Sequence, residues 1–216
     1  MNLQDAIDIN KENLKLWSAI NKGRLTKVKE AIENGATLHT CPPIERRSDD
    51  NFMQHSPLHI AAQKGWNEAI QLLVKYSADP NASNRLQQKP IHWAAYYGHI
   101  DTVKLLTSLG VELFPHDDDG ETTITWAANQ GHINIIDFLI AHGGDIKEQN
   151  EKDGYTALHW AAREGKTLMA RHLIKKGADI NSVNTQGLTP LDIAMVYGKF
   201  ATAKALKNIL ENGSTN

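Results

Sequence analysis

Five copies of one short pattern, set 33 or 34 residues apart, constrain this chain more than any other feature it carries. Pro57-Leu58-His59-Ile60-Ala61-Ala62 is echoed by Pro90-Ile91-His92-Trp93-Ala94-Ala95 and by Thr123-Ile124-Thr125-Trp126-Ala127-Ala128. Ala157-Leu158-His159-Trp160-Ala161-Ala162 and Pro190-Leu191-Asp192-Ile193-Ala194 complete the series. Such a period predicts a stack of like supersecondary units, because one unit of that size cannot bury its own apolar face. The expected core is a strip shared between neighbouring units within a single elongated domain.

The unit beginning at Lys152 shows how each copy folds. Asp153-Gly154 signals a turn, and the Thr156 oxygen can accept from the exposed amides of a helix that starts after it. Leu158, Ala161 and Ala162 put small and apolar groups on one face of that helix, and Gly165 ends it. A second helix over 167–176 has Leu168, Ala170, Leu173 and Ile174 as its apolar positions. Lys175 and Lys176 suit its C-terminal dipole, and Gly177 stops it. The product is an antiparallel helix pair followed by a projecting, hairpin-like loop.

Thr156, Ala157, Leu158, His159, Ala161, Ala162, Gly165, Gly177-Ala178-Asp179 and Asn181 together resemble the ankyrin repeat. The same marks recur at Ser56-Pro57-Leu58-His59, Gly65, Asp79 and Asn81, and again at Pro90-Ile91-His92, Gly98-His99 and Gly110. The resemblance implies an all-α ankyrin-repeat solenoid over 1–216, of about six stacked helix pairs with β-hairpin-like loops. The approximate units are 1–38 as an N-terminal cap, 53–85, 86–118, 119–151, 152–185, and 186–216 as a C-terminal cap. Lys199, Lys204, Lys207, Asn208 and Glu211 are expected to give the last unit a polar outer face.

Departures from the period are informative. Residues 39–52 form an insertion whose prolines and charges suit a surface loop, or a recognition element beside the first finger. The third unit offers Gln87, Gln88 and Lys89 where others have glycine and threonine, so its finger should be less regular. In the fourth unit Thr125 replaces histidine and the entry loop is acidic, which should weaken local regularity.

Composition narrows the function classes. A hydrophobic share of 41% against 22% charged residues fits a folded chain and not a disordered one. A formal charge of -2 gives no global field for nucleic acid. Cys41, the single cysteine, allows neither an intrachain disulfide nor a thiolate zinc cluster. The N-terminal residues lack the apolar run of a secretory signal, so an intracellular, cytoplasmic protein without membrane insertion is expected. Nuclear placement and delivery into a host as an effector stay open.

Ten histidines invite a metal or acid–base reading, but His59, His92 and His159 recur at one repeat position. By resemblance they are structural histidines that bond between turns, and His99 and His132 help fix the turns they follow. No HExxH pair, phosphate loop or nucleophile–base set is present. The chain is expected to be no enzyme and to need no cofactor or metal. Trp93, Trp126 and Trp160 are expected to form a core stripe between adjacent helices.

Ankyrin proteins bind protein segments on a concave face made by fingers and first helices, and those positions carry over residue by residue. The fingers contribute Phe52, Met53 and His55; Arg85, Leu86 and Gln88; Asp118, Asp119 and Glu121; Lys152, Asp153 and Tyr155; and Leu188. The first helices contribute Tyr96, Tyr97, Asn129, Gln130, Arg163, Glu164 and Tyr197. Tyrosine and arginine are favoured anchors in interfaces, and the aspartates invite a basic residue on the partner. The expected function is a protein- or peptide-binding scaffold or adaptor, monomeric when free. The alternative is an architectural subunit with several contact surfaces, in either a bacterial effector or a eukaryotic adaptor setting. Asn81 and Asn181 also resemble positions hydroxylated in the family, with turn hydrogen bonding as their expected main role.

Overall fold

The computed structural model describes residues 3–39 and 55–213. Twelve helices follow one another there as six couples. The first couple is α1 (Leu3–Asn21) and α2 (Leu25–Glu33), and the second α3 (Pro57–Gln63) and α4 (Asn67–Lys75). Next come α5 (Pro90–Tyr96) with α6 (Ile100–Ser108), and α7 (Thr123–Gln130) with α8 (Ile133–Ala141). The last two are α9 (Ala157–Arg163) with α10 (Thr167–Lys175), and α11 (Pro190–Val196) with α12 (Phe200–Asn212). No strand occurs among the described residues. Most of the 39–52 insertion, with Cys41, Phe52 and Met53, lies outside the described residues.

The chain forms two compact units. One holds residues 1–94 and 101–112; the other holds 95–100 and 113–216. In the first, α1 packs on α3 and α2 on α4. In the second, α7 packs on α9 and α9 on α11, while α10 packs on α12.

From the second couple on, each first helix is only seven or eight residues long, too short to be stable alone, so its ends must be held. Reciprocal capping does this. The Thr156 hydroxyl oxygen accepts from the His159 amide, while the Thr156 amide donates 3.1 Å to His159 Nδ1. Ser56 and His59 repeat the arrangement at 3.0 Å. Thr125, without an imidazole, caps α7 equally well: its hydroxyl accepts from the Thr122 amide at 2.9 Å and donates to the Thr122 carbonyl at 2.8 Å. The expected loss of regularity in the fourth unit is therefore absent.

Packing follows the alanine pairs. Ala61 and Ala62, Ala94 and Ala95, Ala127 and Ala128, and Ala161 and Ala162 are all fully buried. Their small side chains let helix backbones approach closely, and Leu58, Ile124, Leu158, Leu139 and Leu173 fill the remaining space. Each such leucine or isoleucine contributes about 1.5–3 kcal/mol through burial. A close approach also explains Gly98: a Cβ there would fall 2.5 Å from the His132 ring, whose Nε2 bonds the Tyr96 carbonyl at 2.8 Å. His132 thus fixes the turn of the couple before its own.

Two expectations about packing are corrected. Leu168 is 74% exposed; it precedes the buried Met169, Ala170 and Leu173, and helical rotation turns it away from that stripe. The tryptophans Trp93, Trp126 and Trp160 are half-buried and form no core stripe. An indole is too large for the space beside the alanine pairs, so one edge emerges.

Candidate functional site

The fingers are closed turns built on an asparagine or aspartate that periodicity did not single out. The Asn84 amide donates to the Gln88 carbonyl at 3.0 Å, while Asn84 Oδ1 accepts from the Leu86 and Gln88 amides. Asp117 serves the finger at 117–121 in the same way, and Asn184 the finger at 184–188. A side-chain oxygen that mimics a backbone acceptor is the usual reason such residues start turns. The third finger is therefore as regular as the others, against expectation. Gln87 takes the left-handed conformation, φ 54°, that Gly120 and Gly187 take in theirs.

Polar side chains also link one finger to the next. Neutral imidazoles accept at Nδ1 and donate at Nε2: His59 Nε2 reaches the Gln88 carbonyl at 2.8 Å, and His159 Nε2 the Leu188 carbonyl at 3.2 Å. Burial holds the His59 pKa down at about 3, so it stays neutral, and lowers that of His159 as well. Asn84 Nδ2 lies 3.3 Å from His55 Nδ1, and Asn150 Nδ2 donates to Glu121 Oε1. Four residues expected on the surface are buried here: His55 and Gln88, and Glu121 and Tyr155 at 6% and 7% exposed. Their sequence slot faces inward because the next finger closes over it. Burial pushes the Glu121 carboxyl up to about 7, against the opposing pull of its donor Asn150. Its Oε2 and the Trp160 indole nitrogen are both buried without a hydrogen bond.

In the second compact unit, side chains of successive first helices form an adjoining row. The Tyr96 ring meets Tyr97 at 5.2 Å and Trp126 at 5.5 Å, both edge-on. The Trp126 indole donates to Asp117 Oδ2 at 3.0 Å, anchoring the finger to its helix. Further along, the Arg163 guanidinium lies 4.7 Å from the Trp160 ring centre and 5.1 Å from that of Tyr197. Tyr155 packs beneath, edge-on to Trp160 at 5.4 Å. Tyr97 is 42% exposed and Tyr197 46%; Asn129, Gln130, Arg163 and Glu164 are half-buried.

The fingers add charge to this row. Asp118, Asp119 and Lys152 are exposed around an open depression of about 410 Å³, and Lys152 pairs with Asp119. Asp118, exposed beside them, makes no ion pair with a described residue. Leu188 is half-buried at its finger. Arg85, exposed, and Leu86, half-buried, belong to the first compact unit, as does a groove of about 540 Å³ between α1 and α2. None of the residues nominated from sequence lines that groove. The Asn81 and Asn181 amides each bond the Asp two residues before, at 2.8 and 2.9 Å, as turn residues do.

Among the described residues, no group of three or more His, Cys, Asp or Glu is placed to hold a metal ion. No described helix is long and apolar enough to cross a membrane. The family model described as Ankyrin repeats (3 copies) matches residues 16–117 and 124–215. The interval between the two matches carries the acidic turn and the start of α7. No curated protein matches the chain.

Proposed function

The chain belongs to the ankyrin-repeat family and is a non-catalytic protein-interaction module; we propose that it docks a protein segment on the first-helix and finger face of residues 95–100 and 113–197. The observation that supports this most is the row running from Tyr97 through Tyr96 and Trp126, continued by Trp160, Arg163 and Tyr197. Aromatic rings already held by neighbours lose little entropy when a partner covers them, and arginine stacked on tryptophan keeps donors for a carbonyl or carboxylate.

Asp118 is the charge that would choose the partner. A basic side chain meeting it gains attraction during approach, and the effect is screened by salt. Glu121 and Tyr155 belong to the scaffold beneath and take no direct part.

The test uses a partner captured by the wild-type chain and measured in isolation. Asp118→Lys should lower its association rate at least about tenfold at low salt, with a smaller change at high salt. Folding is checked by circular dichroism. An association rate unchanged at low salt would remove the basic-anchor half of the proposal, leaving the aromatic half to be judged on its own variants.

A further inference from the structure

The second helices α4, α6, α8, α10 and α12 present equivalent slots on their outer flanks, inner couples included, and in the last two couples the chemistry of those slots changes. The second residue of each helix is Glu68, Asp101, Asn134, Leu168 and Ala201 in turn, and all five are exposed. The fifth is Gln71, Lys104, Asp137, Arg171 and Lys204, all exposed except the half-buried Asp137. The residue before each helix is Trp66, His99 and His132, then Lys166 and Lys199. These two lysines are held in place by their stems. A Cβ on Gly131 would fall 3.4 Å from Lys166 Cδ, and one on Gly165 3.0 Å from Lys199 Cδ, so each stem lies along the turn of the couple before it. α10 contains no acid, and α12 has Glu211 alone, which Lys207 meets at 3.7 Å. Asp137 is taken by Lys176 and His172, at 2.6 and 2.9 Å. Lys166, Arg171, Lys175, Lys199 and Lys204 make no ion pair with a described residue.

We infer that this outer flank of α10 and α12, two helices that pack on each other, docks on the surface of an anionic lipid bilayer. Five cations without protein counter-ions suit any polyanion; Leu168 is what selects the bilayer. At 74% it is the most exposed large apolar side chain among the described residues, in a slot where earlier couples carry Glu68, Asp101 and Asn134. Arg171 and Lys175 lie three and seven residues on, so all three share one face of the helix. A leucine flanked by cations on a surface helix enters the boundary between headgroups and acyl chains, while the basic stems run beside it and their heads meet anionic headgroups. A nucleic-acid backbone offers that leucine nothing apolar. The Lys166 and Lys199 stems, already laid down on the protein, lose little freedom on binding. The contact is peripheral, since no described helix is long and apolar enough to cross a membrane. It is a second face and does not rest on the docking row.

Flotation of the full chain with lipid vesicles is the test. At low salt the wild type should bind phosphatidylcholine vesicles containing about 30% phosphatidylserine but not phosphatidylcholine alone, and high salt should release it. Arg171→Gln with Lys204→Gln should weaken binding at least about tenfold, and Leu168→Ser at least about threefold, with circular dichroism spectra unchanged. Lys75→Gln with Lys104→Gln removes the same charge from exposed positions on α4 and α6 and should leave binding as it is. A wild type that ignores the phosphatidylserine vesicles overturns the proposal. An equal loss in the two charge variants does so too, since it would mark a response to net charge alone. Binding that Leu168→Ser leaves untouched overturns the bilayer as the occupant and points to an acidic macromolecule instead.

Discussion

The finger at 84–88 and the finger at 117–121 have the same backbone and different chemistry. Both are closed by an Asx side chain accepting two amides, and both turn through one left-handed residue. The first places the neutral amide of Gln88 in the slot where the second places the carboxyl of Glu121. The first turns through Gln87, the second through Gly120. The repeat therefore fixes where backbone acceptors must be, and leaves open whether the buried slot titrates and how much strain the turn holds.

Removing the shared device has the largest effect. Asn84→Ala deprives two amides of their acceptor and Gln88 Oε1 of its donor, and should cost about 3 kcal/mol in urea unfolding. Asp117→Ala should cost a similar amount, whereas Asp117→Asn keeps the acceptor for the two amides, loses the one for the Trp126 indole, and should cost about 1–2 kcal/mol.

The titratable slot comes next. Because the folded-state pKa of Glu121 is raised from 4.5 to about 7, its favourable contribution is present below pH 4.5 and is lost as pH rises through 7. Asp117, also raised by burial, acts in the same direction. Glu121→Gln should flatten that decline and make the chain about 2–3 kcal/mol more stable than wild type at pH 8.5. His59 works on the opposite limb. Its pKa is lowered from 6.5 to about 3, so its contribution is full above pH 6.5 and fades as pH falls below that. Unfolding curves recorded across pH check both signs.

The turn residue gives the smallest effect and the sharpest contrast. Gln87→Gly should relieve a left-handed glutamine and stabilise by about 0.5–1 kcal/mol. Gly120→Ala should destabilise by about 1–2 kcal/mol, since it adds strain and sets a Cβ 3.2 Å from the Glu151 amide nitrogen. Thermal midpoints moving the same way in both variants would contradict the equivalence of the two turns.

Much of the fold was legible because it is written as a period. The alanine pairs, the helix-ending glycines and the Ser/Thr–x–x–His capping positions each recur and each have one physical reason. What periodicity hid was direction. Finger slots alternate between facing solvent and facing the next finger, so His55, Gln88, Glu121 and Tyr155 fall on the surface by pattern although the following turn buries them. Asn84, Asp117, Asn150 and Asn184 went unread as the turn-forming residues, yet an Asx three residues before each turn's left-handed residue was a usable signal at 84, 117 and 184.

The central claim is that the aromatic and cationic row of the second compact unit carries recognition. Its most direct test is the equilibrium affinity of one captured partner for Tyr97→Ala with Arg163→Ala, set against Leu168→Ser on the outer helix α10. The account predicts a loss of at least about tenfold for the paired row variant, and no change for Leu168→Ser. A folded row variant that binds with wild-type affinity, while Leu168→Ser loses the partner, would contradict it.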